Sequence, residues 1–181
     1  MLVDESINDR IFLYEPDLIS DIAEILELSE PGAQSTQAAV MTAFDAMAYQ
    51  RTKLGNLLTA TQVNATHGLL MNCLRRIIQG MRATPCPYSH DLIDALFAFL
   101  SHLANTQAGG QMLITAGAIP ILLNALGIQN RSQARHAARA VGILDTLVYT
   151  FDTGLTAFCV ASGIEALVER IDVPIFIVVV K

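Results

Sequence analysis

The side chains able to do chemistry in this chain are sparse and far apart. Its four histidines, His67, His90, His102 and His136, fall in separate segments. None takes part in the HExxH, HxH or Cys-His spacing that brings two ligands to one metal ion, so no metal and no cofactor is expected. Cys73, Cys86 and Cys159 are odd in number and show no CxxC spacing. Cys73 and His67 could in principle form a nucleophile pair. Cys73, however, lies on an apolar stripe and reads as a small buried thiol, while His67 beside Gly68 reads as a helix start. Gly109-Gly110 lacks the following Lys-Ser/Thr and the preceding strand of a phosphate loop, and reads as a turn between helices. No catalytic set is expected.

The polar residues that do recur at matching positions are Asp45 and Asp145, with Ser101 at the intervening place and His102 and Thr146 beside them. Stacked helices would turn them into a short polar row on one inner surface. Asp45, Ser101, His102, Asp145 and Thr146 are therefore the candidate binding residues, against the plainer alternative of solvated acids or partners for an arginine.

Charge narrows the partners. With 17 acids against 11 bases and a net charge of −6, the chain lacks the clustered cations that phosphate backbones require, so no specific nucleic acid is expected. The one basic cluster, Arg131, Arg135, His136 and Arg139, is large enough for one phosphate-sized ligand, but its helical spacing reads as a solvated helix face. MLVDESINDR carries acids and no apolar run, which predicts no signal peptide. No apolar stretch reaches the roughly 18 residues of a membrane helix, and VPIFIVVV at 173–180 is far too short. Free thiols and no leader predict a cytoplasmic or nuclear protein.

The elements that must carry these side chains repeat. Ile119, Leu122, Leu123 and Leu126 follow the i, i+3, i+4, i+7 pattern that buries one side of a helix. Leu70, Cys73, Leu74 and Ile77 precede them; Ile164, Leu167, Val168 and Ile171 follow; Ile22, Ile25 and Leu26, ending at Ser29, make a weaker first version. The intervals are 48, 49 and 45 residues, close to the period of HEAT and armadillo arrays. Longer helices are predicted between the stripes at 36–50, 90–105 and 132–149, with Ser35 or Thr36, Ser89 and Ser132 as N-caps. Pro31-Gly32, the 84–89 segment and 127–130 separate the units. The organisation expected is a partial helical unit at 1–34, repeats at 35–80, 88–128 and 131–172, and an apolar tail at 173–181 that does not fit the array. Met41, Met47, Met71, Met81 and Met112 fall mostly at core spacing.

The segment SHDLIDALFAFLSHLANTQAGGQMLITAGAIPILLNAL resembles an armadillo repeat: a long helix ending in Leu-Ser-x-Leu-Ala, a short helix, then an Ala-Gly-Ala-Ile-Pro lead-in to a third. Joined with YQRTKLGNLLTATQVNATHGLLMNCLRRI before it and ARAVGILDTLVYTFDTGLTAFCVASGIEALVERI after it, the chain resembles, over residues 1 to 172, the N-terminal solenoid of the giant HECT-type E3 ubiquitin ligases, the Mule family. That resemblance implies an all-α, armadillo/HEAT-like α-solenoid, a right-handed superhelix of about three repeats plus a partial unit. It also implies a scaffold role: a frame that holds protein substrates, or other segments of the same ligase, near a HECT domain that this sequence does not contain. No ubiquitin transfer is expected from this chain itself.

A standalone adaptor binding a peptide on its concave face is the alternative. The nuclear import adaptors do this with a Trp and Asn ladder; here the Asn places are held by Ala46, His102 and Thr146, and there is no Trp. Hydrophobic residues at 52% against charged residues at 15% predict helices covered by further protein, and self-association of the isolated chain.

Overall fold

The computed structural model describes residue 15 and residues 17–28, 30–62 and 68–172. The opening residues 1–14, Ser29, His67 and the apolar run 173–181 lie outside the described residues. All regular structure among the described residues is helical. The α-helices are α1 (Leu18–Glu24), α2 (Gln34–Ala48), α3 (Arg51–Gln62), α4 (Leu69–Met81), α5 (His90–Ala104), α6 (Gln107–Thr115), α7 (Ala118–Leu123), α8 (Ala134–Thr150), α9 (Asp152–Val160) and α10 (Gly163–Asp172). Short 3-10 turns at Ile25–Glu27, Pro31–Ala33, Asn124–Gly127 and Arg131–Gln133 join some of them. Among the described residues, no single helix is long and apolar enough to cross a membrane.

The longest helices, α2, α5 and α8, stack side by side, with α5 packed against both of the others. A second row forms behind them: the Ile25–Glu27 turn, α4, α7 and α10 each pack on the next. This is the architecture expected of an α-solenoid. The core runs between the rows. Phe44 of α2 and Phe99 of α5 are fully buried, their rings 6.0 Å apart. Leu70, Cys73, Leu74 and Ile77 of α4 are at most 2% exposed, and Ile119, Leu122, Leu123 and Leu126 are buried as well. Each such large aliphatic chain contributes about 1.5–3 kcal/mol by leaving water. The third stripe departs from expectation. Ile164, Leu167 and Val168 of α10 are 58%, 37% and 51% exposed, because no described element lies over that face.

The backbone repeats with the sequence. Among the described residues only Gly68, Gly117 and Ser162 have left-handed φ, at 81°, 81° and 56°. Each stands two residues before a stripe begins, at Leu70, Ile119 and Ile164. Gly117 N–H donates to the Ile114 carbonyl and Ser162 N–H to the Cys159 carbonyl, so the same tight turn reverses the chain into α7 and into α10.

The caps are partly other than expected. Ser89 does cap α5, its Oγ accepting from Leu92 N–H at 3.3 Å. Helix α2 instead starts ahead of Ser35 and Thr36, because Pro31 opens a 3-10 turn that runs directly into it. Ser132 is displaced by Asn130, whose Oδ1 accepts the Ser132 N–H at 3.1 Å. Gly109-Gly110 is not a turn but the first turn of α6. A Cβ at Gly109 would lie 2.5 Å from the Leu103 carbonyl oxygen, and one at Gly110 would overlap the Phe151 ring. The glycines let α6 lie close against the end of α5 and against Phe151.

Two polar side chains fasten the first turn to the array. Gln37 Nε2 donates to the carbonyls of Ile25 at 3.1 Å and Leu28 at 2.7 Å, and Arg76 donates to that of Leu26 at 2.5 Å. These are carbonyls at the end of the turn, and that of Ile25 also accepts from Leu28 N–H at 3.2 Å. Gln34 bridges to α5, accepting from Ser89 N–H at 2.7 Å and donating to the Pro87 carbonyl at 2.9 Å.

Candidate interaction groove

The stacking of α2, α5 and α8 leaves a groove of about 680 Å³ along their shared face. Asp45 and Tyr49 reach it from α2, four residues apart and so on one side of that helix. From α5 come Ser101, His102 and Asn105, and from α8 Arg139 and Gly142. A Cβ added at Gly142 would meet nothing within 4 Å. The groove is open there because a side chain is missing, not because the helices part.

His102 is the centre. Its Nδ1 lies 2.9 Å from Asp45 Oδ1, with the two side chains 15% and 28% exposed. A carboxylate oxygen only accepts, so Nδ1 carries the hydrogen and donates it to Asp45. Tyr49, 74% exposed, lays its ring 4.0 Å from the imidazole, centroid to centroid. An oriented imidazole, a carboxylate and an exposed aromatic face thus lie side by side in the groove.

The same Asp-His pair is the orienting half of an acyl-transfer triad. Ser101 sits next to His102 on the helix, about 100° around the axis, and among the described residues no hydroxyl or thiol hydrogen-bonds to the imidazole. Cys73 is buried in α4. Burial pushes its thiol up, against the opposing charge and hydrogen bond of Arg76, so it stays protonated and unreactive. Among the described residues no three His, Cys, Asp or Glu side chains gather closely enough to share a metal ion.

Of the five residues expected from sequence, Asp45, Ser101 and His102 meet in the groove, whereas Asp145 and Thr146 do not line it. Thr146 turns its hydroxyl back to the Gly142 carbonyl at 3.0 Å. Asp145 is exposed, on the same strip of α8 as the 91% exposed Tyr149. Tyr49 and Asn105 were not anticipated. The i, i+4 relation of Tyr49 to Asp45 was the available signal.

Arg131, Arg135 and Arg139 of the basic cluster are exposed, as a solvated helix face would have them, whereas His136 is buried. Arg135, His136 and Arg139 converge on Asp94 of α5, at 3.4, 3.3 and 2.5 Å. His136 is 2% exposed, its Nδ1 lies 2.8 Å from Gln133 Oε1, and its ring stacks on His90 at 5.2 Å. Burial pulls its pKa below the ordinary 6.5, Asp94 works against that shift, and His90, Arg135 and Arg139 add to it. Asp94 escaped the sequence reading because its partners lie 41 to 45 residues away. Arg139, ion-paired to Asp94, also forms one wall of the groove.

Comparison with known proteins points one way. Residues 1–79 match a family described as Domain of Unknown Function (DUF908). The chain is 29% identical over 160 residues to the E3 ubiquitin-protein ligase HUWE1 of Mus musculus, covering 86% of this chain and 4% of that protein. It is 26% identical over 180 residues to the E3 ubiquitin-protein ligase TOM1-like of Neurospora crassa, covering 90% and 4%. It is 21% identical over 167 residues to the E3 ubiquitin-protein ligase ptr1 of Schizosaccharomyces pombe, covering 92% and 5%. These matches support the family resemblance carried by the sequence motifs: over most of its length the chain is similar to the giant HECT-type E3 ubiquitin ligases. It spans about a twentieth of the length of these relatives.

Proposed function

We propose that this chain is a non-catalytic scaffold and protein-interaction segment of a HECT-type E3 ubiquitin ligase, built as a right-handed solenoid of armadillo-like repeats. It works in the cytoplasm or nucleus. Its partners are protein substrates or other segments of the same ligase, held in the groove of α2, α5 and α8. Ubiquitin transfer is carried out by a catalytic domain elsewhere in the polypeptide. The homology to E3 ligases supports the pathway. The observation that carries the role is the groove, where His102 is oriented by Asp45, covered by Tyr49, and left accessible at Gly142.

The test exploits that opening. Gly142→Leu fills the groove without meeting a neighbouring atom at its Cβ, and it removes a glycine from a helix interior, which favours the fold. In the full-length ligase, ubiquitin loading of the catalytic domain should be unchanged while ubiquitination of bound substrate falls. A photo-crosslinker at position 105 should lose its partner in the same variant. Unaltered substrate modification and crosslinking would remove the groove from the mechanism.

The same groove also suits an adaptor that works alone, and polypeptide size separates the two readings. An antibody to residues 88–128 should detect a band of about 400 kDa, the size at which 19.6 kDa is roughly a twentieth. A band near 19.6 kDa would favour the adaptor.

A further inference from the structure

A second recessed site lies on the row formed by α4 and α7, away from the groove. Arg75 of α4 and Arg82, the residue that caps its C-terminal end in helical conformation, are seven positions apart and therefore lie about two turns apart on one side of the helix. Between them and α7 is a cavity of about 380 Å³, with Ile78, Ala116, Pro120 and Ile121 among its walls. Its other polar lining is the neutral pair Gln79 and Asn124. No Asp or Glu lines it, in a chain where acids outnumber bases 17 to 11.

The two guanidiniums are held but not neutralised. Arg75 Nη1 donates to Asn72 Oδ1 at 3.0 Å, and Arg82 Nη2 donates to the Asn124 carbonyl at 2.9 Å. Among the described residues neither has a carboxylate partner, in contrast to Arg135 and Arg139, which share Asp94. Each keeps most of its five N–H donors, and a guanidinium already fixed by a neutral acceptor loses less freedom on binding an anion. Space is kept for Arg82 as well: a Cβ at Gly127 would stand 3.3 Å from its Nη2. Two arginines that line one cavity, each held by a neutral partner and without a carboxylate among the described residues, define an anion receptor.

We propose that this cleft binds a phosphoserine or phosphothreonine side chain of a partner protein. The dianionic phosphoryl group engages both guanidiniums, with Asn124 and Gln79 as further polar contacts. The apolar walls take the carbon atoms of the modified residue and its neighbour. At about 380 Å³ the cavity lies near the small end of ligand sites, roughly 300–1,000 Å³, which suits one side chain. An extended polyanion such as RNA is opposed by the net charge of −6. The assignment is independent of the groove, so either can fail alone.

The experiment is a titration of the full 181-residue chain, followed through the arginine Nε–H signals in nitrogen-correlated NMR. The probes are the peptide acetyl-Ala-Ala-phosphoSer-Ala-Ala-amide, its unphosphorylated twin, inorganic phosphate and a single-stranded oligouridylate. The phosphopeptide should shift Arg75 and Arg82 saturably and bind more tightly than inorganic phosphate, and the unmodified twin should leave both signals in place. Arg75→Gln should weaken phosphopeptide binding on the order of tenfold; Arg75 bonds only within its own helix, so the fold is kept, as an unchanged urea midpoint would verify. Arg82→Lys, which keeps the charge but loses the fork, should weaken it less. The proposal is overturned by the absence of a saturable shift, equal binding of the unmodified peptide or of phosphate, unchanged affinity in Arg75→Gln, or tighter binding of the oligouridylate.

Discussion

Helices α7 and α10 begin with nearly the same phrase, Ala-Gly-Ala-Ile and Ala-Ser-Gly-Ile, and meet opposite fates. The α7 stripe is enclosed between α4, α8 and α10, and its residues are buried. Its counterpart on α10 is partly in solvent, with Ile164, Leu167 and Val168 58%, 37% and 51% exposed. An amphipathic pattern thus specifies a face and leaves open what covers it. In a stacked array each unit covers its neighbour, so one sequence phrase can be core in one unit and surface in the next.

The largest test of that contrast is a matched pair of truncations. Leu122→Ala on α7 should lower unfolding free energy by about 2–5 kcal/mol, the cost of a cavity that packed neighbours cannot close. Leu167→Ala on α10 should cost roughly 0.5 kcal/mol or less. Urea midpoints of the two variants read the difference, and equal losses would mean that α10 is covered in solution.

A smaller effect concerns the turn that both helices share. Gly117 and Ser162 hold the same left-handed position, where a side chain costs on the order of 1 kcal/mol. Gly117→Ser should lower stability by about that amount without a clash, since a Cβ there meets nothing within 4 Å. Ser162→Gly should raise it by a few tenths up to about 1 kcal/mol. Thermal unfolding of the two single variants measures both signs, and changes in the same direction would break the equivalence of the turns.

The smallest effect tests the cover over α7. Helix α8, which packs on α7, carries the buried His136. The folded-state pKa of that histidine lies below 6.5, so between the two pKa values the unfolded chain binds more protons. Stability is therefore complete above pH 6.5 and declines as pH falls through the lowered folded value. His136→Gln should flatten that decline, seen as urea midpoints that change less on acidification. A slope identical to that of the parent protein would show that His136 does not govern it.

Much of this was legible in the chain itself. The 3.6-residue periodicity placed α4, α7 and α10, and the spacing of the stripes matches the recurrence of the left-handed turn. The likeness of the armadillo-type phrases to the giant ligases agrees with the relatives that match. The polar row was legible in part. Asp45 and Ser101 could be aligned by counting repeats, but that Thr146 would bend back to its own helix, or that Tyr49 would lie on His102, depends on contacts across helices.

Sequence alone determined which residues share a helix face, because 100° per residue is a local property of the backbone. Only the tertiary structure decided that Asp94 gathers Arg135, His136 and Arg139, that Arg75 and Arg82 stay without a carboxylate among the described residues, and that one apolar stripe is core while its copy is surface. The reason is range. Helix periodicity acts over four residues, whereas an ion pair or a covered face joins positions more than forty apart, and only the angle and distance at which helices pack bring those together.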